Sequence, residues 1–321
     1  MATQFVQKIL QKTTALLALS ALMLPAMAQE LTARQQLEAM KTASQQLNYE
    51  FSFVQSTPSN IDSLRYRHIQ LDGKTYAQLV SLDGAPQEII QRDNLISYFQ
   101  PNFQAFTIQS SHISDDLPSI LRSNVAQLEK YYDLVNTGRN RIADRLVQTI
   151  RILPKDDFRY QYVVFIDEQN HLLMRADMLD REGNLLEQFR VVSLYVGDEL
   201  NELAQYIHTL QIPPLLIDKE KNSKPKFTWQ PSWLPQGFKL VNQSIETDGQ
   251  DKIETQLYSD GLFSFKLYVS SKILPNEQDN TWKQGGYTIY SDTLADKEVT
   301  LIGQLPISTA KRIVQDLIFK K

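Results

Sequence analysis

The residues able to carry chemistry are few and scattered. His68, His112, His171 and His208 stand far apart, and none has the spacing of a helical metal motif. Ser308-Thr309-Ala310-Lys311 matches the SxxK pattern of penicillin-recognising serine enzymes, in which the serine is the acyl-accepting nucleophile. Neither SDN nor KTG accompanies it. A serine that follows Pro306-Ile307 and opens an apolar-periodic run suits a helix N-cap instead. The pairs Asp115-Asp116 and Asp156-Asp157 could serve acid/base or metal chemistry, but turn-forming neighbours make them solvated loop carboxylates. There is no GxSxG, GxGxxG or Walker pattern. Without a cysteine, thiolate metal sites and thiol redox chemistry are excluded. The sequence describes no enzyme, and no cofactor is expected.

The elements that would position a site are mostly strands. Apolar residues Leu37, Met40 and Leu47, with Ala33 and Ala43, recur at helical spacing between Thr32 and Asn48. The period then changes to two: Tyr49-Glu50-Phe51-Ser52-Phe53 places three rings on one face of a strand. Further strands are expected at Leu64 to Leu71, Tyr76 to Leu82, Glu88 to Arg92, Leu95 to Phe99, Tyr160 to Ile166, Leu172 to Leu179 and Leu185 to Val196. Asp72-Gly73, Asp83-Gly84, Asp93-Asn94 and Glu182-Gly183-Asn184 separate them with turn chemistry suited to antiparallel hairpins. The expected class is α+β: one large curved antiparallel sheet, covered by the first helix and by helices near Leu117 to Leu134 and Asp198 to Leu210.

Pro213-Pro214 and the charged run Asp218 to Lys224 mark a solvated linker over residues 213–227. Beyond it, residues 228–321 alternate as a small α+β domain, with strands at Lys239 to Glu246, Ile253 to Ser259, Leu262 to Ser270, Tyr287 to Tyr290 and Glu298 to Gly303. A helix is expected from Ser308 to Phe319, with Ala310, Ile313, Val314 and Leu317 as its apolar stripe.

The first 28 residues have the tripartite form of a secretory signal: Lys8 and Lys12, an apolar run from Thr13 to Leu24, and Ala26-Met27-Ala28 as a small-residue cleavage site. The mature chain, from Gln29, is then an exported, soluble protein, and the absence of cysteine excludes a lipoprotein anchor. Cleavage removes two of 33 basic and none of 37 acidic residues, leaving a formal charge of −6. That mild acidity, with no basic block, argues against a nucleic-acid partner.

The aromatic supply is the conspicuous feature of the first sheet. Tyr49, Phe51, Phe53, Tyr66, Tyr98, Phe99, Phe103, Phe106, Tyr160, Tyr162 and Phe165 either fill a core or line a greasy concavity fit for acyl chains. Arg65 and Arg67 stand beside these rings, as do Arg139, Arg141 and Arg145. They would grip lipid phosphates or pair with Asp62, Asp72 and Asp144 at the surface.

Several blocks resemble the RseB/MucB family: Ser63-Leu64-Arg65-Tyr66-Arg67-His68, Gly138-Arg139-Asn140-Arg141-Ile142-Ala143-Asp144-Arg145, Leu186-Glu187-Gln188-Phe189-Arg190, Trp233-Leu234-Pro235-Gln236-Gly237-Phe238 and Tyr258-Ser259-Asp260-Gly261-Leu262-Phe263-Ser264-Phe265. The resemblance covers essentially all of the mature chain. It implies an N-terminal domain similar to LolA and LolB, an unclosed barrel with helices in its mouth, over residues 29–212. A smaller C-terminal domain follows at 228–321. It also implies a periplasmic negative regulator of the sigma-E envelope-stress response that binds the periplasmic part of the anti-sigma factor RseA, protects it from the protease DegS, and is released by lipopolysaccharide or a related lipid. On that footing the lipid-binding candidates are Tyr49, Phe51, Phe53, Tyr66, Tyr98, Phe106, Tyr162, Arg65 and Arg67, and the partner-binding candidates are Trp233, Phe238, Tyr258 and Phe263. The Pro-rich joint becomes the expected hinge between the domains. A lipid or lipoprotein carrier is the competing function, and a homo-oligomer stays open.

Overall fold

The computed structural model describes residues 31–113, 116–216, 226–248, 251–271 and 281–320. The leader at 1–28, Asp115 and the charged part of the expected linker, 217–225, lie outside the described residues.

The alternating segments form eleven strands: β1 (Tyr49–Thr57), β2 (Asn60–Leu71), β3 (Lys74–Ser81), β4 (Glu88–Arg92), β5 (Leu95–Gln100), β6 (Phe103–Gln109), β7 (Tyr132–Ile142), β8 (Arg145–Pro154), β9 (Gln161–Asp167), β10 (Leu173–Leu179) and β11 (Leu185–Val196). They lie in the order β6-β5-β4-β3-β2-β1-β11-β10-β9-β8-β7, so β6 and β7 are the ends of an unclosed sheet. Asp72 and Gly73, at φ 51° and 73°, make the tight β2–β3 turn, where two left-handed residues match the twist of the strands.

Alternation places one row of apolar residues across the inner face, running Phe51, Tyr66, Leu79, Ile89, Tyr98 and Phe106 from β1 to β6. The helix Ala33–Gln46 packs its Leu37 and Met40 into this face, both completely buried. The helix Asn201–Thr209 covers the outer face instead, with Ala204 and Ile207 against Ile69, Tyr76 and Ile90.

The chain between the two edge strands is where sequence and structure part. Instead of one helix from Leu117 to Leu134 there is a 3-10 turn at Ser119–Arg122, a single helical turn at Val125–Leu128, and then β7. The Asn124 side chain accepts from the Gln127 amide and restarts the chain after the first turn, while Tyr132 enters the sheet opposite Pro154. Because β6 and β7 are opposite edges, residues between them must cross the open side of the sheet. Strands β6, β7 and β8 are additions to the sequence expectation. The linker also begins differently: the backbone of Thr107 pairs with Pro214 and Leu216, and its hydroxyl donates to the Pro213 carbonyl, so 213–216, though largely exposed, is fastened along β6.

The second half has a two-stranded ribbon, β12 (Trp229–Pro231) with β19 (Leu317–Phe319), and a six-stranded antiparallel sheet. The latter comprises β13 (Lys239–Asp248), β14 (Asp251–Ser259), β15 (Ser264–Ser270), β16 (Thr281–Gln284), β17 (Tyr287–Leu294) and β18 (Lys297–Gly303), in the order β13-β14-β15-β18-β17-β16. The closing helix is Ile307–Gln315, shorter than expected. Leu317 leaves its stripe because β19 takes the ladder bonds that β12 offers. Ser308 is exposed on the first turn; Pro306 holds the N-cap position and no side chain caps the helix, which corrects the capping role expected of Ser308. Both sheets belong to one compact unit, Ala33–Lys321.

Candidate functional site

Two cavities flank the material that fills the inner face. The first, about 430 Å³, lies between the first helix (Lys41, Ser44, Gln45), the inner ends of β1 and β2 (Tyr49, Tyr66, His68) and the crossing segment (Ser111, His112, Leu121, Arg122). Lys41, His68, His112 and Arg122 line it, and among the described residues no carboxylate does. His68 stacks on Tyr49 at 5.2 Å, and its Nδ1 donates to the Leu47 carbonyl at 2.9 Å. Burial lowers the His68 pKa, opposed by that hydrogen bond, and burial followed by the Arg122 charge lowers that of His112. Both imidazoles are thus poised to be neutral near pH 7, and an entering anion would favour their protonation. The arrangement suits a phosphate-bearing head group, with hydroxyls and amides to complete its hydrogen bonds.

The second cavity, about 640 Å³, lies where the six-stranded sheet meets the other end of the inner face. Gln55, Asp116, Arg122, Tyr162 and Glu187 line it from the first sheet and its crossing segment, and Trp282, Tyr287 and Gln304 from the second. Burial raises the Glu187 pKa, the Gln55 hydrogen bond opposes this, and Asp116 adds to it. Arg122 is common to both cavities.

Two turns of the second sheet fasten it to the first. In the β14–β15 turn, Asp260 Oδ2 receives Arg159 Nη1 at 2.7 Å and the Tyr132 hydroxyl at 2.5 Å, while Oδ1 takes the Leu262 and Phe263 amides. The hydroxyls of Ser119 and Ser123 donate to the Leu262 and Gly261 carbonyls at 2.6 and 2.7 Å. The 3-10 turn that lines both cavities is thereby tied to the second sheet. The β16–β17 turn, Gly285-Gly286, approaches so closely that a Cβ on Gly285 would stand 2.9 Å from the Leu186 carbonyl, and one on Gly286 would run into the Met178 sulfur.

The structure redistributes the expected site residues. Tyr49 and Tyr66 line the basic cavity and Tyr162 the acidic one. Phe51 and Phe53 are filled core, packed on Phe189, and Tyr98 stacks on Phe106 at 5.0 Å near the β6 edge. Arg65 and Arg67 are corrected: alternation puts them on the outer face, opposite Ser52 and Glu50, away from the rings, and Arg67 pairs with Glu50 and Gln78. Arg141 does pair with Asp144, whereas Arg145 holds Asp167 and Arg139 holds Glu168. Asp156 is no free loop carboxylate, since Arg159 grips both its oxygens.

Among the expected partner contacts, Phe238, Tyr258 and Phe263 are buried. Phe263 packs on Tyr160 and Tyr162, Tyr258 stacks on Phe265, and Phe238 lies beneath Arg159. They pack inside the protein rather than at its surface. Trp233 is half-buried, with the Arg312 guanidinium 3.8 Å from its ring centre. Lys41 and Arg122 escaped sequence reasoning, and His112 was weighed there only as a metal ligand, because they are isolated in sequence; the only local signal was Ser119 and Ser123 bracketing a basic residue.

Two family models match the chain in succession: the MucB/RseB N-terminal domain over residues 32–215 and the MucB/RseB C-terminal domain over residues 223–318. The chain belongs to the MucB/RseB family. It is 56% identical over 314 residues, 98% of this chain and 100% of the relative, to the sigma-E factor regulatory protein RseB of Haemophilus influenzae. Identity to the Escherichia coli K12 protein of the same name is 42% over 286 residues, 88% of this chain and 89% of the relative. These relatives are named as regulators of a sigma factor and not as enzymes. The crystal structure of MucB in complex with MucA(peri) shares the fold, with a TM-score of 0.70, 23% identity, and coverage of 90% of this chain and 100% of that one. Among the described residues no helix is long and apolar enough to cross a membrane.

Proposed function

We propose that the chain is a periplasmic regulatory protein that holds the periplasmic domain of an RseA-type anti-sigma factor, shields it from DegS-initiated cleavage, and releases it when an anionic lipid such as lipopolysaccharide binds. The observation that carries this is similarity along almost the whole chain to a sigma-E factor regulatory protein. A family member crystallised with MucA(peri) supports a partner of that kind. In this scheme residues 1–28 are the cleaved export signal, 29–212 the lipid-binding part, 213–227 the joint and 228–321 the partner-binding part. The succession of the two family models supports a chain of two parts.

The lipid head group would enter the basic cavity, where Lys41 and Arg122 supply charge and His68 and His112 gain protons. Lipid can displace the partner only by the difference in its affinity for the two states. The Ser119–Arg122 turn is the element both sites would bias, because Arg122 faces the cavity and Ser119 bonds the second sheet. The test is binding of purified residues 29–321 to the periplasmic domain of the cognate anti-sigma factor, with and without lipopolysaccharide. Tight binding that lipopolysaccharide weakens is the expected result. A folded protein that binds lipid and ignores the anti-sigma factor would be a carrier, and the proposal would fail.

A further inference from the structure

The acidic cavity is built for something other than lipid phosphate. Glu187 shares the inner-face row of β9, β10 and β11 with Tyr162 and Met178, at the point where the Gly285-Gly286 turn closes over the sheet. The Gln55 amide donates to it at 3.0 Å, but the Gln55 Oε1 is buried and has no donor of its own among the described residues. The pair therefore offers more acceptors than the protein supplies donors, a costly state in a partly desolvated wall. Asp116 adds a second carboxylate to the lining and Arg122 a cation, each already engaged. The rest of the rim is aromatic: Trp282 and Tyr287 are about half exposed, at 51% and 48%, and Ile61 stands out on the neighbouring β1–β2 hairpin at 68%. Trp282 lies on β16, the terminal strand of the six-stranded sheet.

We infer that this cavity receives a lysine or arginine side chain of an extended peptide lying along β16. A cationic donor placed against Glu187 would supply the missing hydrogen bonds, and the indole and phenol faces would hold its stem and charge. Among the described residues β16 is the last strand of its sheet, and a terminal strand can take an added one. Burial raises the Glu187 pKa, as expected for a carboxylate lacking a cation of its own. The inference goes beyond the regulatory function and does not depend on which protein supplies the peptide.

The test uses residues 29–321 and acetylated, amidated pentapeptides of sequence Val-Thr-Xaa-Thr-Val, with Xaa arginine, lysine, norleucine or glutamate, titrated by calorimetry. Arginine and lysine peptides should bind about tenfold or more tighter than norleucine, the worth of one charge-assisted hydrogen bond, and glutamate should not bind. Glu187→Gln should erase the preference for the basic peptides. Trp282→Ala, at an exposed position, should weaken them without altering the thermal melt. Equal binding of arginine and norleucine peptides, binding unchanged in Glu187→Gln, or no heat with any peptide up to millimolar concentration would overturn the inference and leave a water-filled cavity only.

Discussion

Arg159 and Asp260 meet at 2.7 Å with neither side chain exposed to solvent, although they are 101 residues apart, one in the β8–β9 connection of the first sheet and the other in the β14–β15 turn of the second. Arg159 also holds Asp156 and the Gln236 carbonyl, and its guanidinium lies 5.3 Å from the Tyr132 ring centre. Burial works against the guanidinium charge, but the Asp156 hydrogen bonds together with Tyr132 and Asp260 outweigh it, so the Arg159 pKa is raised. Asp260→Ala should destabilise the fold by about 3–5 kcal/mol, because it removes one of the two carboxylates that offset a buried guanidinium and leaves the Tyr132 hydroxyl and the Leu262 and Phe263 amides without their acceptor. Urea unfolding at neutral pH measures this, and Arg159→Met in the same chain should recover part of the loss. A cost below about 1 kcal/mol would mean that water reaches the site in solution.

Gly285 has φ +56° and no room for a Cβ beside the Leu186 carbonyl. Gly285→Ala should cost about 1–3 kcal/mol from strain and overlap, through the backbone rather than a side-chain end. Gly73→Ala, also at positive φ but with nothing within 4 Å, provides the control for φ alone. The excess loss at Gly285, read from denaturant midpoints, reports the docking of the β16–β17 hairpin.

Glu187 gives a stability prediction with a definite sign. Its folded pKa is raised by burial, so protonation favours the folded state. That contribution is complete below the unfolded-state value and is lost as pH rises through the folded value. Glu187→Gln should therefore be more stable than the native chain at pH 7, with the difference shrinking towards pH 4. A melting temperature lowered at pH 7 by the substitution would contradict the desolvated state of this carboxylate.

The two cavity histidines act in the opposite direction. Their folded pKa values are depressed, so their contribution is present above about 6.5 and is lost as pH falls through the folded values. In the Glu187→Gln background, where the opposing carboxylate is gone, the melting temperature should fall between pH 7 and pH 5, and inorganic phosphate should offset the fall by stabilising the imidazolium forms. The same titration with Lys41→Gln should show weaker rescue. Equal rescue would place the anion elsewhere.

Period-two alternation made much of the first sheet legible, and Glu88–Arg92 and Leu185–Val196 have the bounds that alternation and turn residues predict. β7 was hidden because its exposed run, Val-Asn-Thr-Gly-Arg-Asn-Arg after Leu134, has little apolar period; it is an edge strand with a bulge at Asn136/Gly138. The crossing segment misled because Leu117, Leu121, Val125 and Leu128 fall at helical spacing, yet Pro118 and Ser123-Asn124 divide it into two short turns. The expected hinge was read from Pro213-Pro214, whereas the buried ties between the sheets come from Arg159, Asp260, Ser119 and Ser123, residues whose partners lie more than a hundred positions away. The rings of the inner face were legible as a set; which would pack and which would line a cavity depended on the crossing segment, whose path local pattern does not encode.

The most direct measurement is the affinity of residues 29–321 for the periplasmic domain of the cognate anti-sigma factor at rising lipopolysaccharide, for the native chain and for Ser119→Ala/Ser123→Ala. The native chain should lose affinity about five- to 150-fold, the usual span of a coupling free energy, while the double variant binds the partner but loses most of that sensitivity. A native chain that binds the anti-sigma factor equally well with and without lipopolysaccharide, or a variant that responds as strongly as the native chain, would contradict coupling through the Ser119–Arg122 turn.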